Sequence, residues 1–120
     1  MENIKVGASF KPERLKAYTK NENLMLLTLE NSDESHSYWC ECKVDVKSPL
    51  SLAHDVELNE GITRVGIIKP KSKLEKQVRF YTRPNNFPDN YDLKVTLFVY
   101  DEDGAIAERL ESKHTIQCVP

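Results

Sequence analysis

The sequence predicts an all-β protein, a Greek-key β-sandwich of about seven antiparallel strands, and three observations carry that prediction. Between Asn90 and Pro120 apolar residues alternate at Tyr91, Leu93, Val95, Leu97 and Val99, break at Asp101-Glu102-Asp103-Gly104, and resume towards Ile116 and Cys118. A period of two with one apolar phase requires a sheet buried on one side, and an acidic break ending in Gly is a hairpin turn. A second alternating run covers Tyr38 to Val46, and turn signals recur along the chain at sandwich spacing. Helix has little support: residues 11–20 and 105–112 are the candidates, and neither sustains an apolar stripe over three turns.

Taken in order, Ile4, Val6, Ala8 and Phe10 alternate before Pro12, which predicts an opening strand at a sheet edge, since proline cannot donate to a ladder. Residues 11–22 are polar and lysine-rich. The nearly continuous apolar run from Leu24 to Leu29 suits a central strand covered on both sides or at one end, and Asn31-Ser32-Asp33-Glu34-Ser35 ends it as a loop. From Tyr38 the even phase (Tyr38, Cys40, Cys42, Val44, Val46) reads as core and the odd phase (Trp39, Glu41, Lys43, Asp45, Lys47) as solvent, up to Ser48-Pro49. Residues 50–68 hold short, poorly specified strands around Asn59-Glu60-Gly61. Lys69-Pro70-Lys71-Ser72-Lys73 reads as a loop, Val78, Phe80 and Thr82 as the inner phase of a further strand, and residues 84–90 as a long crossing loop.

The run Leu27-x-Leu29-x-Asn31, then Ile68-x-Pro70 with Ser72, then Asp89-x-Tyr91-x-Leu93-x-Val95 and finally Asp101-x-Asp103-Gly104 resembles the immunoglobulin-like CARDB-type domains over about residues 23–118. The resemblance implies an immunoglobulin-like Greek-key sandwich with a tyrosine corner at Tyr91. It also implies a non-catalytic adhesion or interaction module. The expected organisation is one immunoglobulin-like domain over residues 1–120.

Composition sets limits on function. With 17 basic and 19 acidic residues the net charge is -2, so no global field draws in nucleic acid or an anionic membrane. The charge balance argues against a nucleic-acid partner, and any polyanion site has to be local. The N-terminal Met-Glu-Asn-Ile-Lys-Val lacks the regions of a signal peptide, and no stretch approaches the roughly 20 apolar residues of a membrane span. The expected location is cytoplasmic, or extracellular if an export signal has been lost. Three cysteines suit reduced core thiols better than a disulfide framework.

Catalytic and cofactor chemistry finds little footing. Four glycines, at 7, 61, 66 and 104, build neither a phosphate loop nor a dinucleotide fingerprint. In Ser35-His36-Ser37 neighbouring side chains of an extended chain point to opposite faces, and no nucleophile elbow surrounds either serine. Cys40-x-Cys42 with His36, His114 or Cys118 invites a soft metal. Yet residues four apart on a strand are separated by roughly 13 Å, too far for His114 and Cys118 to share an ion without a bulge. Asp101-x-Asp103-Gly104 with Glu108 is too sparse and too turn-like for a calcium loop. The expectation is no enzyme, no metal and no cofactor.

Two surface features remain. The alternation turns Trp39 outward on one strand and Phe98 and Tyr100 outward on another. In an immunoglobulin-like sandwich those strands are antiparallel neighbours, which brings the three aromatics together as a site for a protein partner or a second copy. The alternatives are a cover of loop or N-terminal segment, or a shifted register with Trp39 as an inward core tryptophan. The second feature is the basic stretch 64–83, where Lys71, Lys73, Arg79, Tyr81 and Arg83 form an alternative site for an anion or a single nucleic-acid strand. Against it, charged strands are commonly solvated faces that discourage edge pairing.

Overall fold

The structure, a computed structural model, is described over residues 3–120; Met1 and Glu2, the start of the stretch searched for an export signal, lie outside the described residues. Alternating residues along the chain build strands β1 (Ile4–Lys11), β2 (Arg14–Lys16), β3 (Asn21–Asn31), β4 (Tyr38–Val46), β5 (Leu50–Ser51), β6 (Glu60–Ile68), β7 (Ser72–Thr82), β8 (Asp89–Tyr100) and β9 (Ile106–Val119). They form a four-stranded sheet in the order β1-β3-β7-β5 and a five-stranded sheet in the order β2-β9-β8-β4-β6. Every pairing is antiparallel except β2 with β9.

The core lies between the two sheets. Met25, Leu27 and Leu29 of β3 and Phe80 of β7 face Cys40, Cys42 and Val44 of β4 and Leu93, Val95 and Leu97 of β8, all buried. The even phase of β4 is the inward one, as its alternation predicts, which excludes an inward Trp39. Phe10 at the edge strand closes one side by an edge-on contact with the Phe80 ring, centroids 5.9 Å apart.

Several elements differ from expectation for identifiable reasons. Nine strands among the described residues exceed the expected seven or so because β2 and β5 are only three and two residues long. β3 is central but covered on one side only; Leu24 and Leu26 sit half-buried on its outer face, flanked across the sheet by Lys11 and Arg79 and by Ser9 and Gln77. The lysine-rich segment carries β2, whose Leu15 is fully buried opposite Cys118. The Ala17 N–H donates to the Val119 carbonyl at 2.8 Å and the Tyr18 N–H to the Asn86 carbonyl at 2.8 Å. Neither helix candidate is helical, and β7 begins at Ser72, inside the stretch expected as a loop.

Polar side chains fix the strand ends. Asn31, 1% exposed, donates from Nδ2 to the carbonyls of His36, Ile68 and Lys69 at 2.9 to 3.2 Å. Its Oδ1 accepts from the Asp33 N–H at 3.0 Å. At the start of β8 the Tyr91 hydroxyl donates to the Phe87 carbonyl at 2.6 Å and accepts from the Phe87 N–H at 3.1 Å, which is the tyrosine corner. At the β8–β9 turn the Asp101 Oδ1 accepts from the N–H groups of Asp103 and Ala105, and Gly104 takes a φ of 83°. That carboxylate is occupied by its own backbone, as a hairpin turn requires and a calcium loop does not.

Candidate functional site

The outer face of the five-stranded sheet is set by register. Trp39 lies directly across from Tyr100 on β8 and from Ile67 on β6, and Tyr100 lies across from Ile106 on β9. The Trp39 and Tyr100 rings stack with centroids 4.1 Å apart and planes 13° from parallel, and the Tyr100 hydroxyl donates to Glu41 Oε1 at 2.9 Å. That bond to an anion, together with burial, raises the Tyr100 pKa. Phe98 follows two residues along β8, across from Glu41 and Arg109, with the Arg109 guanidinium 5.8 Å above its ring. The three aromatics thus share one face, as the alternation implies: Trp39 and Tyr100 in contact, Phe98 one step down the same strand.

Sequence reasoning missed the apolar residues that extend this cluster. Ile67 is 66% exposed, Ile62 69% and Ile106 64%, and all three lie on the same face. An Ile67-Ile68 doublet was the available signal, since adjacent strand residues point oppositely and only one of two isoleucines can enter the core. Ile68 does, at 1% exposed. Two bulges aim the row: β6 carries one extra residue opposite Cys40 and Glu41, where Gly66 takes a φ of 126°, and β9 another between the partners of Val99 and Tyr100.

The basic stretch is not gathered into a site. Lys73, Glu75, Gln77, Arg79 and Tyr81 alternate outward along β7, so about 20 Å of strand separates Lys73 from Arg79. β3 places Glu30 opposite Lys73 and Glu22 opposite Tyr81. Arg79 Nη1 is 3.0 Å from Glu22 Oε1, Lys71 sits in the preceding turn with its Nζ 3.8 Å from Glu34 Oε1, and Arg83 lies past the end of β7. Arg64 belongs to the other sheet. The face is a lattice of opposite charges rather than a basic groove.

The remaining chemical candidates are structural. Ser35 Oγ and Asp33 Oδ1 both approach the same imidazole nitrogen, His36 Nδ1, at 3.1 and 3.2 Å, whereas a nucleophile relay needs the two ring nitrogens to serve different groups. Asp33 also accepts from the Ser35 and His36 N–H groups at 2.9 and 3.0 Å and from the Tyr38 hydroxyl at 3.1 Å. The Ser35 N–H is the largest cause of an acidity well below the usual carboxylate range, burial opposing it. Cys40, Cys42 and Cys118 are free, buried thiols. Burial pushes Cys40 up to about 12 and Cys42 up to about 11, so neither is a thiolate at neutral pH. Among the described residues no group of three or more His, Cys, Asp and Glu side chains is placed to hold a metal ion. No helix of the described residues is long and apolar enough to cross a membrane.

Neither a scan against protein-family models nor a search of curated proteins finds a match to this chain. Solved structures do match. A non-cellulosomal cohesin from the hyperthermophilic archaeon Archaeoglobus fulgidus is 18% identical, with a TM-score of 0.55 over 98% of this chain and 92% of its own. A CARDB domain from Pyrococcus furiosus, solved in complex with di-metal ions, is 14% identical, with a TM-score of 0.53 over 99% and 91%. A putative ApaA protein from Bordetella pertussis is 12% identical, with a TM-score of 0.55 over 94% and 89%. At such identities the likeness speaks for architecture, and the architecture it gives this chain is an immunoglobulin-like β-sandwich.

Proposed function

We propose that this protein is a non-enzymatic interaction module that binds another protein, or its own copy, through the outer face of the five-stranded sheet. The observation that carries the reading is the continuous row Ile67, Trp39, Tyr100 and Ile106 with Phe98 beside it, because apolar and aromatic side chains gathered on an open sheet face are what interfaces use. Trp and Tyr supply large contact area at small entropic cost, and the neighbouring Glu41, Arg64 and Arg109 supply a polar rim. The interaction role implied by the CARDB-type resemblance supports the same reading. Nothing in the charge lattice on the opposite face favours an anion or nucleic-acid ligand.

The test is retention of partners from a native-cell lysate by immobilised wild type, Trp39→Ala and, as a control on the other sheet, Arg79→Ala. The expected result is a protein held by the wild type and by Arg79→Ala but released by Trp39→Ala, with the variant's melting curve showing it folded. Equal retention by all three would remove the aromatic face from consideration.

A further inference from the structure

The proposed interaction face is complementary to itself, and this inference rests on the reading of that face as an interface. Across β6, β4, β8 and β9 the register lays out four levels. They are Ile67-Trp39-Tyr100-Ile106, then Arg64-Glu41-Phe98-Arg109, then Ile62-Lys43-Thr96-Glu111, and last Glu60-Asp45-Lys94-Lys113. The first level is apolar throughout. The last is split by sign, with both carboxylates on β6 and β4 and both ammonium groups on β8 and β9.

We propose that a second copy of this chain packs face to face on this sheet about a twofold axis that lies in the interface, parallel to the strands and between β4 and β8. That operation sets β6 of one copy over β9 of the other at the same level, and β4 over β8. Ile67 then meets Ile106 of the second copy and Trp39 meets its Tyr100. At the far level Glu60 meets Lys113 and Asp45 meets Lys94, four opposite-charge contacts once symmetry repeats them. The other twofold available to stacked sheets, perpendicular to the strands, reverses the levels and sets the Trp39 row against the charged row. The pattern therefore selects one axis. The mismatches, Arg64 against the facing Arg109 and Ile62 against the facing Glu111, lie on the outer strands, where Arg109 Nη2 is already 3.0 Å from Glu111 Oε1.

Strand spacing and rise give the four levels roughly 500 Å² on each copy, so the pair buries about 1,000 Å², at the lower bound for a specific interface. The dimer is therefore a weak one, and strand directions kept aligned suit face-to-face sheet packing.

Charge swapping tests the axis. Light scattering after size exclusion is run up to about 1 mM protein, where weak dimers are populated, on wild type, on Asp45→Lys with Glu60→Lys, and on Lys94→Glu with Lys113→Glu. The wild type is expected to dimerise, each double variant to lose at least about tenfold in affinity, and an equimolar mixture of the two variants to recover a heterodimer. All these positions are on the solvent face, and thermal melts check that both variants fold. A monomeric wild type, variants that dimerise like it, or a mixture that stays monomeric overturns the homodimer. If the wild type is monomeric yet holds a lysate protein that Trp39→Ala releases, the interaction reading stands and only self-association falls. A wild-type dimer indifferent to Trp39→Ala and to the charge swaps, with lysate capture unchanged by Trp39→Ala, removes both.

Discussion

Single side chains close this molecule where its backbone turns. Asn31, Asp33, Tyr91 and Asp101 each satisfy backbone groups of a loop next to a strand end, and buried or partly buried polar groups of this kind cost more when left unpaired than they contribute when paired. Asp33 carries a pH signature. Its folded pKa is depressed, so its contribution is complete above the unfolded value of about 3.9 and is lost as pH falls through the folded one. Asp33→Asn should therefore melt below wild type at pH 7, and the gap should narrow as pH drops below about 4. Melting curves at pH 7, 5, 4 and 3 check this, and a deficit constant across that range would refute it. The residue types at these corners are visible in the sequence, since Asn after an apolar run, Asp before Gly and Tyr before alternating apolars all mark ends. Their bonding partners are not, because the carbonyls that Asn31 serves lie up to 38 residues away.

Among the elements, strands with one clear apolar phase were readable and those with two claims on them were not. β4 follows its alternation residue by residue, and β8 does so except at Thr96, an outward position that is buried. β9 contains Glu-Arg-Leu-Glu-Ser-Lys, a local sequence at ease in a helix, yet it is strand over Ile106–Val119 because β8 offers it a long ladder of partners, a tertiary gain that outweighs weak propensity. Leu15 gave no periodic signal, being one apolar residue among lysines, and is buried only because β2 crosses to the second sheet. β6 reads as broken because its bulge shifts the phase between Arg64 and Ile67. The bulge depends on Gly66: at φ 126° a side chain is strained, and its Cβ would meet Leu74 Cδ2 at 3.4 Å. Gly66→Ala should cost about 1–3 kcal/mol, read as an earlier urea midpoint with an unchanged slope. An unchanged midpoint would mean the bulge is not strained by a side chain.

For the whole molecule, near-neutral net charge is distributed as opposite signs on both outer faces. β7 carries the most basic stretch, but β3 beside it contributes Glu22 and Glu30. The protein should therefore leave a heparin column at low ionic strength, with no dependence on Arg79→Ala or Lys73→Ala. Elution only at high salt, shifted earlier by either change, would show a polyanion site after all. Both faces carry charge pairs, but the five-stranded sheet adds a row of exposed isoleucines and aromatics, and that difference is why it carries the functional proposal.

The class of fold, the inward phase of β4 and β8, the hairpin at Asp101 to Gly104, the corner at Tyr91 and the outward direction of three aromatics are all legible in the chain before it folds. The alternation and the hairpin follow from local covalent geometry, since a strand's phase and a turn's demand for Gly or Asp are set within a few residues, whereas the corner is what the CARDB-type resemblance implies. That Ile62, Ile67 and Ile106 join those aromatics, that β3 sets Glu22 and Glu30 beside the basic strand, and that Leu15 belongs to the core came from the assembled sheets alone. Those facts depend on strand order and register, which sum weak contacts between segments far apart in the chain and leave no periodic trace in any one of them.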